Sequence, residues 1–110
     1  MLERSLVFLD LETTGATASF DRITEIGLIE VERGRLVGEW STLINPQARI
    51  PPFIEALTGI SNDMVALAPT FAEVARELKA RLDGRLLVAH NARFDYGFLK
   101  NEFSRLGVKY

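Results

Sequence analysis

The order of hydrophobic patterns along the chain constrains its fold more than any other feature. Leu6-Val7-Phe8-Leu9 is a short continuous apolar run, the pattern expected of a strand buried on both faces. Thr13-Thr14-Gly15 ends it. Residues 22–32 are rich in Ile, Leu and Val and read as a second strand, and Arg33-Gly34 follows as a turn signal. Residues 36–44 read as a third strand with Trp40 inside it. Short connections between the three predict an antiparallel meander. Asn45-Pro46 opens an irregular stretch that contains Pro51-Pro52. Pro69-Thr70 then precedes Phe71, Val74, Ala75, Leu78 and Leu82, which share one helical face. Thr70 and Glu73 have the spacing of a capping box, and Asp83-Gly84 ends the helix. Leu86-Leu87-Val88-Ala89 is another short apolar strand, and residues 93–106 read as a second amphipathic helix stopped by Gly107. Three strands, a helix, a strand and a helix define an α/β fold with a mixed sheet, in one small domain over residues 1–110.

Composition removes several kinds of chemistry. The formal net charge is −2, so no broad basic surface is present for long-range capture of a duplex. Recognition of a strand end in a cleft stays open, because metal ions can supply positive charge there. There are no cysteines, which excludes disulfides, thiolate zinc sites and thiol nucleophiles. His90 is the single histidine, so a site of several histidines within one chain is excluded too. Any metal must sit mainly on oxygen ligands, which favours Mg²⁺, Mn²⁺ or Ca²⁺. No segment is long and apolar enough to span a membrane, and the opening Met1-Leu2-Glu3-Arg4 does not read as a secretory signal, so a cytoplasmic location is expected.

Three carboxylates carry the chemistry that remains. Asp10 and Glu12 stand two residues apart at the end of the first strand, so alternation puts both on one face. If that face is partly buried, the two repel and lose hydration, and a divalent cation resolves both problems. Spacing alone equally allows a strand that ends early with both acids in water. Asp95 bears on the choice. It lies at the centre of the apolar stripe of the last helix, with Leu99 and Leu106 within roughly 40° and Phe98 and Phe103 flanking. It is therefore expected to point toward the sheet and onto Asp10 and Glu12. Position alone also allows a simpler role, an acid favoured by the helix dipole in the first turn. Three converging carboxylates make a site for a hard cation, which phosphoryl transfer commonly uses.

These residues stand in motifs that resemble a known family. Phe8-Leu9-Asp10-Leu11-Glu12-Thr13-Thr14-Gly15 is similar to the first motif of the DnaQ-like (DEDDh) 3′–5′ exonucleases. His90-Asn91-Ala92-Arg93-Phe94-Asp95, followed by Phe98-Leu99, is similar to the second. Asn45-Pro46, Leu57-Thr58-Gly59-Ile60 and Pro69-Thr70-Phe71 also fall where the family has similar sequence, so the resemblance runs over nearly the whole chain. The family includes the epsilon proofreading subunit of DNA polymerase III. A lone Asp-x-Glu would be weak; the extended first motif followed by the second is specific.

The resemblance implies a ribonuclease H-like mixed sheet whose first three strands are antiparallel and whose C-terminal part falls beyond this chain. It implies that Asp10, Glu12 and Asp95 are catalytic ligands of two Mg²⁺ or Mn²⁺ ions, Glu12 touching both ions or the attacking water. Leu11, Thr13, Leu57, Thr58 and Phe94 would border the terminal nucleotide, and His90 and Asn91 would support the loop. The substrate would be the single-stranded 3′ end of DNA or RNA, and a polymerase or a fused domain could be a partner.

Two departures stand out. Thr58 replaces a histidine found in many members. The third motif, His followed five residues later by Asp, does not occur before Tyr110, so the 110 residues alone are expected to be inactive or nearly so. A degenerate module that binds nucleic acid or a polymerase without catalysis is the alternative, and intact Asp10, Glu12 and Asp95 argue against it. A phosphatase with Asp10 as nucleophile ranks last, because such enzymes want a second Asp where this chain has Glu12.

Overall fold

The computed structural model describes residues 4–110, so the reading of Met1, Leu2 and Glu3 lies outside the described residues. Strands β1 (Ser5–Thr13), β2 (Ile23–Glu32) and β3 (Arg35–Leu43) come first. Helices α1 (Pro52–Thr58), α2 (Asn62–Ala66) and α3 (Phe71–Leu82), strand β4 (Leu86–Val88) and helix α4 (Ala92–Arg105) follow. The sheet order is β3-β2-β1-β4. The first three strands are antiparallel and β4 runs parallel to β1. This is the mixed sheet that the pattern predicts, in the ribonuclease H-like arrangement that the resemblance implies.

Local chemistry explains the boundaries. Arg33 (φ 51°) and Gly34 (φ 77°) form the two-residue connection of the β2–β3 hairpin, where both central residues need positive φ. The Thr70 hydroxyl accepts from the Glu73 amide at 3.4 Å while the Glu73 carboxylate accepts from the Thr70 amide at 2.9 Å, closing the expected box at the start of α3. At the end of α4, the Val108 amide reaches the Phe103 carbonyl and the Gly107 amide the Ser104 carbonyl, a Schellman pair around Gly107 at φ 73°.

The stretch read as irregular contains two short helices. Pro51-Pro52 starts α1 by supplying fixed φ where no amide is needed, and Gly59 at φ 76° ends it. Ser61 caps α2 by accepting from the Met64 amide at 3.1 Å. Helices of seven and five residues are too short to display a hydrophobic period, which is why the pattern missed them.

β1 differs from its expected burial. Val7, Leu9 and Leu11 are buried under α3 and α4, together with Ile26 and Leu28 of β2 and with Phe71, Leu78, Leu82, Phe98, Leu99 and Phe103. Phe8 on the opposite face is 42% exposed. The strand is thus covered on one face, because both long helices pack on the same side of the sheet. Asp10, on the uncovered face, is exposed and Glu12 is half-buried, so their face is more open than expected. Leu106 also departs from expectation: it is the C-cap of α4 and exposed, whereas Leu99 is fully buried.

Two ion networks tie the helices to the sheet. Glu30 on β2, itself buried, pairs with Arg81 of α3 and with Arg85 at 2.7 Å, and the Arg81 guanidinium lies 5.4 Å from the Trp40 ring centroid. Glu102 of α4 is 1% exposed and accepts from the Arg22 side chain at 2.9–3.1 Å and from the Ile23 amide at 3.0 Å.

Candidate active site

β4 pairs with β1 only as far as Phe8, so the β1 edge beyond it is left unpaired on that side. The Ala89–Asn91 turn and the first turn of α4 follow directly, and Asp95 lies in that turn. Asp95 is 7% exposed, as the apolar stripe demands. Its carboxyl is pushed up to about 6, first by burial and then by the charge of Asp10, with His90 pulling the other way. Glu12 is raised too, by burial, by Asp10 and by Glu25. Asp10 is thus electrostatically coupled to both of the other acids.

Glu25 is a participant that sequence reading did not anticipate. It faces Glu12 directly across the β1–β2 ladder, a like-charge pairing that is unfavourable by itself. Only the strand register reveals it, and register is not readable from either strand alone.

No side-chain hydrogen bond or salt bridge to Asp10, Glu12 or Asp95 exists among the described residues, and the one basic influence on them is the charge of His90 acting on Asp95. As placed, no three His, Cys, Asp or Glu side chains among the described residues close into a metal-holding group. The donor chemistry nevertheless fits a hard divalent cation: the ligands are carboxylate oxygens, two of them are destabilised as anions, and a cation would relieve both.

A cleft of ≈ 370 Å³ has one of these acids, Glu12, in its wall. Glu12, Leu11 and Thr13 line it from β1, Gly15 and Ala16 from the following loop, Phe53, Ile54, Leu57 and Thr58 from α1, and Phe94 from α4. Every residue expected to border a terminal nucleotide is therefore in one cavity. Phe94 is braced from behind by buried Phe98, with ring centroids 4.8 Å apart. The Thr58 hydroxyl donates to the Ile54 carbonyl at 2.9 Å and accepts from the Ile60 amide at 3.2 Å, so its single proton is committed within the loop. Unlike a histidine, Thr58 has no donor left for a ligand. His90 and Asn91 are exposed, and their side chains make no hydrogen bond among the described residues. What ties His90 to the site is its charge effect on Asp95.

The loop after Glu12 is held by Asp21. Its carboxylate accepts from the Thr14 hydroxyl at 3.1 Å and from the Thr17 amide at 2.9 Å. A Cβ on Gly15 would stand 2.5 Å from that carboxylate. Gly15→Ala is therefore expected to displace Asp21, lose both bonds and cost about 1–3 kcal/mol, read as a lower urea midpoint. An unchanged midpoint would show that Asp21 does not hold the loop.

A sheet of order β3-β2-β1-β4, with three antiparallel strands, a parallel fourth and both long helices on one face, is of the ribonuclease H-like class. The family model described as exonuclease (RNase T) matches residues 7–110, and the chain belongs to that family. The chain is 44% identical over 110 residues to the 3′-5′ exonuclease DinG of Bacillus subtilis, covering 99% of this chain and 12% of that protein. It is 41% identical over 107 residues to a PolC-type DNA polymerase III of Caldanaerobacter subterraneus, covering 97% of this chain and 8% of that protein. Among solved structures, Escherichia coli exonuclease I in complex with a dT13 oligonucleotide superposes with a TM-score of 0.86 at 20% identity, over 96% of this chain and 25% of that one. That likeness concerns the fold. The chain spans about one-tenth of the length of the curated relatives it matches.

Proposed function

We propose that residues 1–110 form the first part of a metal-dependent 3′–5′ exonuclease domain that removes nucleotides from single-stranded 3′ ends of DNA or RNA. The observation that carries this reading is the gathering of Glu12, Thr58 and Phe94 around one nucleotide-sized cleft, with Asp95, buried and without a side-chain partner among the described residues, next to Phe94 in α4. Asp10, Glu12 and Asp95 supply oxygen ligands for two Mg²⁺ or Mn²⁺ ions. When bound, the ions activate water and stabilise the departing 3′ oxygen. Leu57, Thr58 and Phe94 bound the terminal nucleotide by shape, while Leu11 and Thr13 form the strand-side wall. Asn91 supports the start of α4 through its carbonyl, which accepts from the Asp95 amide at 3.1 Å, and His90 supports the site through its charge effect on Asp95. The relatives named as an exonuclease and a polymerase support a module fused to larger machinery, with a polymerase or a fused domain as neighbour. A cytoplasmic setting follows from such a substrate.

The test is a single-stranded oligonucleotide labelled at its 5′ end, incubated with Mn²⁺ and the longest polypeptide that carries these residues. Stepwise shortening from the 3′ end is the expected result; internal cuts or no cuts would reject the reading. A non-catalytic binding module is the second reading, favoured because the three acids do not close into a metal-holding group among the described residues. It requires that Mn²⁺ titration produce no thermal shift.

Acid titration supplies a further check. Asp95 has a raised folded-state value, so its contribution to stability is fully present below its ordinary 3.8 and is lost as pH rises through about 6. Metal-free protein should lose about 2 kcal/mol through this group between pH 4 and pH 7. Asp95→Asn should flatten that slope. The Mn²⁺ thermal shift should show the opposite trend, growing from pH 5 to pH 7.5 as the carboxylate forms. A Mn²⁺ shift independent of pH would remove Asp95 from the ligand set.

A further inference from the structure

Helix α1 buries none of its residues. Ile54 packs against the small cluster of Ile50, Ile60 and Val65. The other apolar pair, Phe53 and Leu57, stays 74% and 71% exposed. They are four residues apart, hence neighbours on one face of the helix, and both line the cleft that contains Glu12. Folding gains almost nothing from a phenylalanine left this exposed. Its position at the wall of an acid-bearing cleft gives it a use that the core does not.

We infer that Phe53 is a stacking platform for the base next to the 3′-terminal nucleotide. The inference rests on the proposed exonuclease reading and deepens it by naming a residue that selects a strand over a free nucleotide. Leu57, Thr58 and Phe94 enclose the terminal unit. Four residues from Leu57, about 6 Å along α1, Phe53 offers the next flat apolar surface. Every base has a π-face, so an aromatic ring there grips a single strand regardless of sequence. A duplex keeps its bases stacked on each other and has none to offer. Continuity with the cleft, which reaches from Glu12 to Phe53, favours the strand over a protein segment as the occupant.

The experiment uses the longest polypeptide that carries these residues, with oligothymidylates bearing 2-aminopurine at the last, second or third position from the 3′ end. Stacking on Phe53 should change the fluorescence of the second-position probe most, and Phe53→Ala should remove that change and weaken binding about tenfold. Phe53→Tyr should restore the signal, whereas Phe53→Leu, apolar but without a ring, should not. The Mn²⁺-dependent thermal shift, which reads the acids and no base, should be equal in wild type and Phe53→Ala. An unchanged second-position signal in Phe53→Ala, or full function in Phe53→Leu, would overturn the stacking role. The binding readout needs no turnover, so it decides the matter even if the oligonucleotide is not hydrolysed, a result that would instead overturn the exonuclease reading. Loss of the Mn²⁺ shift together with the binding signal would also overturn the stacking role, since Phe53 would then be supporting the site as a whole.

Discussion

Asp10→Ala should abolish 3′-end hydrolysis by the polypeptide carrying this domain while leaving the fold intact. The Asp10 side chain is exposed and makes no hydrogen bond or ion pair with the described residues, so the fold does not depend on it. Surface substitutions of that kind stay within about 0.5 kcal/mol. Removing it also takes away the like charge that helps raise both Asp95 and Glu12. Metal-free Asp10→Ala should therefore melt no lower than wild type. Catalysis is another matter. A metal clamp is worth several kcal/mol to a phosphoryl-transfer transition state, and each 1.36 kcal/mol is tenfold, so losing it predicts a fall of about three orders of magnitude. Initial rates on a labelled single strand measure the activity, and melting curves with and without Mn²⁺ measure the rest. Activity within tenfold of wild type would remove Asp10 from the ligand set. A large fall in melting temperature without metal would assign it a structural role instead.

The site was more legible in the sequence than the surface around it. Asp10 and Glu12 could be placed on one face from the two-residue period of a strand, and Asp95 inward from the helical stripe, because both are properties of a single element. Which face of the sheet the helices cover is not such a property. Phe8 and Asp10 share a face that looked buried from an apolar run, yet α3 and α4 both pack against Val7, Leu9 and Leu11. Glu25 reached Glu12 only through strand register, and Phe53 entered the cleft only through α1, whose seven residues show no period. Its available signals were Pro52 at the first helical position and Gly59 beyond the last. What the sequence hides here is pairing between elements.

Glu102 offers the largest expected effect on stability. It is fully buried, and its carboxylate answers Arg22 through both oxygens and the Ile23 amide besides. Truncating one partner of such a pair leaves a desolvated charge behind, at about 3–5 kcal/mol. Glu102→Ala should therefore lower the melting temperature by more than about 12 °C, taking about 4–8 °C per kcal/mol for a domain of this size. Arg22→Ala should cost less, because Arg105 at 3.3 Å still faces the carboxylate. Replacing the pair by Arg22→Met with Glu102→Leu removes both charges, so most of the loss should be recovered. The recovery should stop about 1–3 kcal/mol short, because the Ile23 amide loses its acceptor. Asp95 lies seven residues, about two turns, before Glu102 on the same helix. If the ion pair also sets the tilt of α4, the double variant should regain stability without regaining full activity on single strands. Activity that returns in step with stability would mean that Glu102 holds the helix in place and leaves the aim of Asp95 to Phe98 and Leu99.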